Sequence, residues 1–314
     1  MSEPIIALAG LTKSYGDLQA VRGLSLRINR GEIFGFLGAN GAGKTTTMRM
    51  LCGLVRPTSG AATIGGADVW RERYAVRRKF GYMAQKFSLY PDLTVLENLR
   101  FFGGAYRVPP NELEARMERI LGQVDLPEKR NTAAGSLSGG MRQLLALGCA
   151  LVHEPPLLFL DEPTSGLDPQ ATLELLDMIR GLKREGVSVL LSSHLLDRVQ
   201  SVCDRVALFQ EGRIVLMGTV AELGREVLGG GFAVEVEAEG QGLAERLAQV
   251  PGVRTVEAPG PDRFRLLADR DVRPDAAAAV VNAGGRLRRL SVEEPSLEAI
   301  YTRYFHDHGA RHAA

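Results

Sequence analysis

The residues best suited to chemistry stand at positions 38–45, which read Gly-Ala-Asn-Gly-Ala-Gly-Lys-Thr. Glycines at this spacing let backbone N–H groups turn toward the phosphates of a nucleotide, the lysine reaches the β- and γ-phosphates, and the threonine hydroxyl can ligate Mg²⁺. The apolar run Ile33–Leu37 predicts a strand before the loop, and residues 46–54 predict a helix whose positive end faces the phosphates. We therefore predict a nucleoside triphosphate site, with a chance Gly-rich turn as the alternative. The predicted contacts are Gly38, Asn40, Gly41, Gly43, Lys44, Thr45 and Thr46.

A second candidate site follows the apolar run at residues 157–160, which ends in Asp161 and Glu162. Ligands bind at the carboxyl ends of strands in open α/β sheets, so two carboxylates at this place are well placed to act on a nucleotide. We predict that Asp161 holds Mg²⁺ through water and that Glu162 polarises the attacking water. The alternative for an isolated Asp-Glu pair is a solvated strand end.

Length and composition are ordinary for a globular chain of one large or two smaller domains, with 314 residues, 45% hydrophobic, 24% charged and a net charge of +1. This charge balance gives no reason to expect nucleic acid binding. The longest apolar runs are about half of the ~20 residues that a membrane-spanning helix needs, and the first residues lack the features of a signal peptide. We therefore expect a cytosolic chain whose membrane role, if it has one, requires a partner chain.

Residues 1–224 are predicted to form one domain and residues 225–314 a second one. In the first, strand runs alternate with helical runs, as in a parallel sheet covered by helices, and residues 86–155 carry apolar positions at helical spacing that predict a helical insert. Three glycines at 229–231 are interpreted as a flexible joint. The order strand, helix, strand, strand, helix, strand then predicts a small α+β ferredoxin-like domain, closed by one more helix.

A short motif before a helical run carries a specific resemblance: residues 137–141 read Leu-Ser-Gly-Gly-Met. With it, the chain resembles the ATPase subunits of ATP-binding cassette (ABC) transporters over about residues 3–222. The resemblance implies a P-loop NTPase cassette, with a parallel-sheet core, antiparallel strands and a helical insert. It also implies that Ser138, Gly139 and Gly140 cap the γ-phosphate held by a facing subunit. Met141 stands where the family commonly has glutamine, and we expect the contacts of Ser138 and Gly140 to be unaffected.

The other family motifs follow in the family's order, and each isolated residue has a plainer alternative. Tyr15 matches an aromatic that stacks on adenine, although a tyrosine in a turn is usually only a turn residue. Gln85 matches the glutamine that touches Mg²⁺ and the attacking water. Asp168, in Ser165-Gly166-Leu167-Asp168, matches a loop that crosses the dimer interface. His194 matches the histidine that senses the γ-phosphate and holds Glu162, although a single histidine after a strand is more often structural.

The resemblance implies a Mg²⁺-dependent ATPase that binds ATP, dimerises around two ATP molecules and drives a separate integral membrane permease from the cytoplasmic face of the inner membrane. The residues around these motifs are similar to those of bacterial drug, antibiotic and lipid exporter ATPases, so export is favoured over import. The dimer can be two copies of this chain or a pair with a sister ATPase. One alternative is a cassette ATPase that acts in DNA repair or on ribosomes. It is disfavoured because the sequence has no second cassette, no sustained heptad run and no basic block. The other alternative is a non-hydrolysing regulatory cassette.

Two further patterns leave two interpretations each. Phe87, Leu89 and Tyr90 either pack inside the insert or line a groove that receives a short helix of the membrane partner. The arginines within residues 286–289 either form a lipid or partner patch or belong to a solvated strand face.

Overall fold

The computed structural model describes residues 3–85, 88–228, 232–293 and 296–312. The chain forms two compact units, residues 1–217 and 218–314, which are described separately. This division lies one short helix before the predicted one at 224/225, because the helix Val220–Val227 contacts the last helix, Leu297–His312. The glycine joint at 229–231 lies outside the described residues.

The first unit is built from two sheets and the helices that cover them. Its strands are β1 (Ile6–Tyr15), β2 (Leu18–Ile28), β3 (Ile33–Leu37), β4 (Ser59–Ile64), β5 (Ala67–Asp68), β6 (Phe80–Met83), β7 (Leu157–Asp161), β8 (Ser188–Ser193), β9 (Arg205–Gln210) and β10 (Arg213–Gly218). Its α-helices are α1 (Lys44–Leu51), α2 (Arg73–Arg77), α3 (Val95–Ala105), α4 (Pro110–Gln123), α5 (Gly139–Leu151), α6 (Pro169–Arg184) and α7 (Leu196–Gln200).

The larger sheet has the order β10-β9-β3-β8-β7-β6, and the pairs from β9 to β6 are parallel. Every residue of β3, β7 and β8 is buried, as expected for parallel strands covered on both faces. The register aligns Leu37 with Ser193, and Asp161 with Ser192. Because parallel strands end at the same edge, the segments that follow β3, β7 and β8 meet there.

The smaller sheet is antiparallel, with the order β2-β1-β4-β5. β1 and β2 form a hairpin much longer than the runs 5–8 and 24–28 that hydrophobic patterning indicates. Its register continues to the pair Tyr15 and Leu18 through bulges, and the added part is exposed or half-buried apart from Leu11 and Val21. Such a solvated hairpin end lacks the apolar alternation by which strands are recognised in a sequence. The hairpin extends to Tyr15.

The helical insert is formed by α3, α4 and α5, within the predicted span. Its apolar positions Leu99, Met117, Ile120 and Leu121 are buried, in agreement with the helical spacing. Thr94 caps α3 in a box with Glu97, each side chain bonding the other residue's backbone N–H. These contacts fix where α3 begins.

The second unit contains α8 (Val220–Val227), β11 (Phe232–Glu239), α9 (Leu243–Ala248), β12 (Val253–Gly260), β13 (Arg263–Ala268), α10 (Arg273–Asn282), β14 (Arg286–Glu293) and α11 (Leu297–His312). From β11 to β14 the elements follow the predicted order, while α8 was not expected. The sheet order is β12-β13-β11-β14, and its ladders are antiparallel. Classification as a ferredoxin-like domain stays a prediction.

One sheet face in this unit packs on an apolar core that includes Val234, Val236 and Leu266. Residues at intervening positions carry charges and pair across the strands, as Glu237 does with Arg263 at 2.7 Å and Glu239 with Arg288. These pairs support a solvated strand face as the interpretation of the arginines at 286–289.

Candidate nucleotide site

The phosphate loop between β3 and α1 has a backbone that requires glycine at two places. Gly38 and Gly43 have φ values of 144° and 107°. A Cβ on Gly38 would lie 2.4 Å from the Phe209 carbonyl oxygen, and one on Gly43 would lie 2.6 Å from the Ala20 carbonyl oxygen. The loop is therefore held against the neighbouring strands at a distance that no side chain allows. Asn40 and Gly41 are exposed at its tip, and Thr46 is half-buried in the first turn of α1.

Lys44 is the first residue of α1, and its charged end lies inside the loop. Its Nζ donates to the carbonyl oxygens of Gly38, at 2.6 Å, and Ala39, at 3.1 Å, and lies 3.9 Å from Oε1 of Glu162. Burial lowers the pKa of Lys44, whereas the nearby Glu162 and Asp161 carboxylates act to raise it. The side chain thus presents a buried positive charge to the space that the loop surrounds, as phosphate binding requires.

Thr45 and Asp161 stand side by side at the edge of the sheet. The Thr45 Oγ1 donates to Oδ1 of Asp161 at 3.1 Å, and the Ser192 hydroxyl donates to the same oxygen at 2.6 Å. Asp161 and Ser192 are almost fully buried. This pair of hard oxygen donors suits Mg²⁺, which prefers oxygen ligands and usually completes its shell with water and substrate phosphates. Ser192 was not among the predicted site residues, because its contact depends on the register of β8 against β7.

Glu162 is held from both its backbone and its side chain. Its φ of 53° is unusual for a residue other than glycine, and its N–H donates to the Ser192 hydroxyl at 3.1 Å and to the Ser192 carbonyl at 3.2 Å. One carboxylate oxygen lies 2.8 Å from Nδ1 of His194, so a proton on Nδ1 is donated to Glu162. The carboxylate is buried, while the His194 side chain is 39% exposed.

Gln85 and Tyr15 are exposed residues close to strand ends, those of β6 and β1. Gln85 follows β6 at the edge where Met83 pairs with Leu160, so it leaves the sheet beside Asp161, and its residue is exposed. Tyr15 is 49% exposed at the tip of the β1–β2 hairpin, with the Lys13 Nζ 4.8 Å above its ring. An exposed ring of this kind is available for stacking.

Ser138 and Asp168 are helix caps rather than members of the group around Lys44. The Ser138 Oγ accepts from the Met141 N–H at 3.2 Å, and the Asp168 Oδ1 accepts from the Ala171 N–H at 2.9 Å. The residues Ser138 and Asp168 therefore begin α5 and α6. The two helix starts are close, because a Cβ on Gly140 would lie 3.1 Å from that of Ala171. Ser138 is exposed, and Gly139 and Gly140 are half-buried.

Comparisons with known proteins show which family the chain belongs to. The ABC transporter family model matches residues 21–165, which include the phosphate loop, the Leu-Ser-Gly-Gly-Met segment and both carboxylates. The daunorubicin resistance ATP-binding protein DrrA3 of Streptomyces coeruleorubidus is 36% identical over 308 residues, which cover 96% of each chain. The chain belongs to the ABC transporter ATPase family.

Other relatives in this family also match over most of their length. The linearmycin resistance ATP-binding protein LnrL of Bacillus subtilis strain 168 is 34% identical over 93% of this chain and 95% of its own. The Nod factor export ATP-binding protein I of Rhizobium leguminosarum bv. viciae is 36% identical over 96% of this chain and 95% of its own. The chain is therefore an ABC ATPase subunit close to those of drug exporters.

Solved structures confirm the cassette fold. An ATP-binding subunit of an ABC transporter matches with a TM-score of 0.65 and 32% identity, over 71% of this chain and 92% of its own. A dimeric post-hydrolysis cassette bound to ADP and phosphate matches with a TM-score of 0.62 and 27% identity, over 68% of this chain and 98% of its own. Within the part of the ABC ATPase that the structure describes, no helix has the length and apolar character needed to cross a membrane.

Proposed function

We propose that this chain binds ATP with Mg²⁺, hydrolyses it, and thereby drives a separate membrane permease that exports a drug, antibiotic, lipid or similar compound. The observation that carries the proposal is the continuous set of contacts linking Lys44, Glu162 and His194 at the edge of the sheet, beside Thr45 and Asp161. Phosphoryl transfer requires mainly positioning and charge stabilisation, and this set supplies a cation, a carboxylate base and a histidine that orients the base.

Each described residue has one role in this proposal. Lys44 binds the β- and γ-phosphates, and Thr45, Asp161 and Gln85 would hold Mg²⁺, which neutralises phosphate charge when it is bound. Glu162 orients the attacking water and accepts its proton, and the His194 Nδ1–H keeps the carboxylate in place. Tyr15 stacks on adenine. These assignments rest on the contacts described above and on matching family motifs.

A second subunit completes each site in this proposal, whether it is a further copy of this chain or a sister ATPase. The support is the exposed N-terminal end of α5, where Ser138 is accessible and the N–H groups of Gly139 and Gly140 begin a helix. Helix N-termini attract anions, and this one presents a hydroxyl and free N–H groups to a γ-phosphate on a facing subunit. Asp168 begins α6 next to it.

We propose that the permease binds to the surface that includes Tyr90 and Phe101, which follow Gln85 in the sequence. Tyr90 and Phe101 are each 45% exposed, and their ring centroids are 4.5 Å apart, while Leu89 is half-buried nearby in sequence. An exposed aromatic pair on the helical insert supports the groove interpretation, in which a short helix of the permease docks here. Phe87 lies outside the described residues. We place the assembly on the cytoplasmic face of the inner membrane, with this subunit peripheral to it.

Glu162→Gln tests the proposal, because the amide keeps the size of the carboxylate but cannot accept a proton from water. Turnover should fall at least ~10²-fold while ATP binding persists. The protein should then become a dimer in ATP but not in ADP, as measured by size-exclusion chromatography with light scattering. Glu118→Gln, on an exposed part of α4, is the matched control and should behave as the parent. A Glu162→Gln protein that stays monomeric in saturating ATP, or hydrolyses at the parental rate, contradicts the proposal.

A further inference from the structure

Gln143 is a buried polar residue that the proposed mechanism does not use. It lies in the second turn of α5, is only 4% exposed, and its Nε2 donates to the carbonyl oxygen of Pro163. A buried amide costs free energy unless it is hydrogen-bonded, so this bond is one that the fold maintains. Its acceptor immediately follows Glu162 in the chain.

Besides this bond, the segment is held by backbone hydrogen bonds from the Ser165 N–H to the Glu162 carbonyl, at 3.1 Å, and from the Leu167 N–H to the Thr164 carbonyl, at 3.4 Å. Pro163 has no N–H, and the Thr164 hydroxyl is buried without a hydrogen-bond partner among the described residues. The preceding Glu162 has a positive φ that is unfavourable for its side chain and must be maintained by its surroundings. On the side of the sheet, Ser192 supplies the bonds that do this. On the side of the insert, Gln143 supplies a bond to the next residue.

Ser138 is the N-cap of α5, a little more than one helical turn before Gln143. Gln143 lies five residues after Ser138, or about 7.5 Å along a helix axis, and an α-helix of this length moves as a rigid element. The first turn of α5 is also packed against α6, because Gly140 and Ala171 approach closely. A shift of the Ser138 end therefore carries the Gln143 amide with it, and with the amide the carbonyl next to Glu162.

We infer that Gln143 is a positioning residue that couples the two ATP sites of the dimer. The inference rests on the proposed function, in which Ser138 contacts the ATP of the facing subunit while Glu162 acts on the ATP of its own subunit. When Ser138 engages the partner's γ-phosphate, α5 is drawn to its closed position and the Gln143 bond sets Pro163 and Glu162 in the orientation for hydrolysis. One side chain thus communicates the occupancy of one site to the base at the other.

Gln143→Met tests this inference, because methionine has a similar volume but cannot donate to the Pro163 carbonyl. We expect kcat to fall about tenfold or more, since small displacements of a catalytic group have effects of this size, with the KM for ATP within about twofold of the parent. The Hill coefficient of hydrolysis should fall from about 2 toward 1, because two coupled sites become independent. Gln123→Met is the matched control, because it removes from α4 an amide that donates to the Glu185 carboxylate at 3.4 Å. It should keep the parental kcat, KM and Hill coefficient.

Gln143→Asn is the second variant, because it retains a buried amide but shortens the donor by one methylene, and it should show the same loss of cooperativity. Circular dichroism and thermal melting establish that the variants are folded, and a merely structural role would lower stability while leaving the Hill coefficient unchanged. The inference is overturned if folded Gln143→Met or Gln143→Asn retains the parental Hill coefficient, or if the parent itself hydrolyses ATP without cooperativity. A parent that neither hydrolyses ATP nor dimerises with Glu162→Gln would instead reject the proposed function.

Discussion

Lys44 and Glu162 are oppositely charged side chains, both buried and 3.9 Å apart. Removing one member of such a pair leaves an uncompensated charge, which costs more than the pair gains. Lys44 also donates to the loop carbonyls of Gly38 and Ala39. Its pKa is lowered because burial outweighs the effect of the nearby Glu162 and Asp161 carboxylates. A site of this kind is favourable for an anionic ligand, because phosphate oxygens satisfy the charge better than neutral carbonyls do.

Lys44→Ala should abolish tight ATP binding. The substitution removes the charged donor aimed at the β- and γ-phosphates, and hydrogen bonds to charged groups contribute about 1.5–3 kcal/mol, so the dissociation constant should rise at least about tenfold. Equilibrium binding of a fluorescent ATP analogue measures it. Lys129→Ala, at an exposed position, is the matched control. An affinity of Lys44→Ala within about threefold of the parent would count against the phosphate-loop assignment.

Sequence spacing predicts the candidate residues whose chemistry is local, namely those of the loop from Gly38 to Thr45 and the carboxylates Asp161 and Glu162. It could not identify Ser192 or Gln143. Ser192 becomes a partner of Asp161 and Glu162 only because β8 lies next to β7 in one register. Gln143 becomes a partner of the Pro163 carbonyl only because α5 packs against the segment that follows β7. Such contacts join residues far apart in sequence, and a serine or glutamine alone carries no signal of them.

At the scale of elements, His153 links the helical insert to the sheet. Its ring stacks on Tyr106, just after α3, with centroids 3.7 Å apart, and its Nε2 lies 3.0 Å from the Phe80 carbonyl oxygen at the start of β6. A carbonyl accepts, so Nε2 carries the proton, and Nδ1 is buried without a partner among the described residues. Burial lowers the pKa of His153 to about 4, with Arg116 acting in the same direction.

This pKa predicts a loss of stability in acid. The ordinary value is 6.5 and the folded value about 4, so between these pH values the unfolded chain binds a proton that the folded chain does not. The free energy of unfolding should therefore fall as pH decreases from 6.5 toward 4, by about 2–3 kcal/mol in total. His153→Gln, which keeps an amide donor but does not titrate, should show a correspondingly smaller decrease. Urea unfolding at pH 7.0, 5.5 and 4.5 measures both proteins, and parallel pH dependences would contradict the assignment.

The elements themselves were predictable where apolar residues form a continuous run or recur at a regular spacing. The buried strands β3 and β7 lie at the apolar runs 33–37 and 157–160, and the elements from β11 to β14 follow the predicted order. The outer half of the β1–β2 hairpin and β10 were not, because these segments are largely solvent-accessible or short, so their structure depends on neighbouring strands. The helix α8 was missed although Thr219 and Glu222 form a capping box at its start, which is a sequence signal of a helix N-terminus.

At the scale of the whole molecule, the chain contains two units that each have a separate core. All candidate nucleotide contacts lie before Met217, and the second unit packs residues such as Val234, Leu266 and Val280 among themselves. A unit with its own core can in principle fold alone.

A chain that ends at Met217 should therefore fold and bind ATP with an affinity within about threefold of the parent. Thermal unfolding followed by circular dichroism tests folding, and the binding assay used for Lys44→Ala tests affinity. A fragment of residues 218–314 should likewise unfold cooperatively. If the shortened chain folds but no longer binds ATP, the second unit takes part in the nucleotide site and the modular description is wrong.

The proposed pairing of subunits can be tested by mixing two variants that are each inactive alone. Ser138→Arg places a bulky cation at the exposed start of α5, away from the Lys44 group, so this variant should bind ATP as a monomer but lose hydrolysis. Lys44→Ala loses its own site but keeps a normal Ser138. In a mixed dimer, the intact loop of one variant faces the intact Ser138 of the other and forms one competent site. An equal mixture should therefore regain at most about a quarter of the parental activity, since random pairing makes half of the dimers mixed and each has one site of two. The recovery should be smaller still, because the subunit that supplies Glu162 carries Ser138→Arg and so lacks the signal that the Gln143 bond transmits. Steady-state phosphate release, measured for each variant alone and for the mixture, tests this expectation.

Two results would contradict it. Weak binding of ATP by monomeric Ser138→Arg would mean that Ser138 serves its own subunit. No recovery of activity in mixtures that light scattering shows to contain dimers would mean the same, or that both sites must act together.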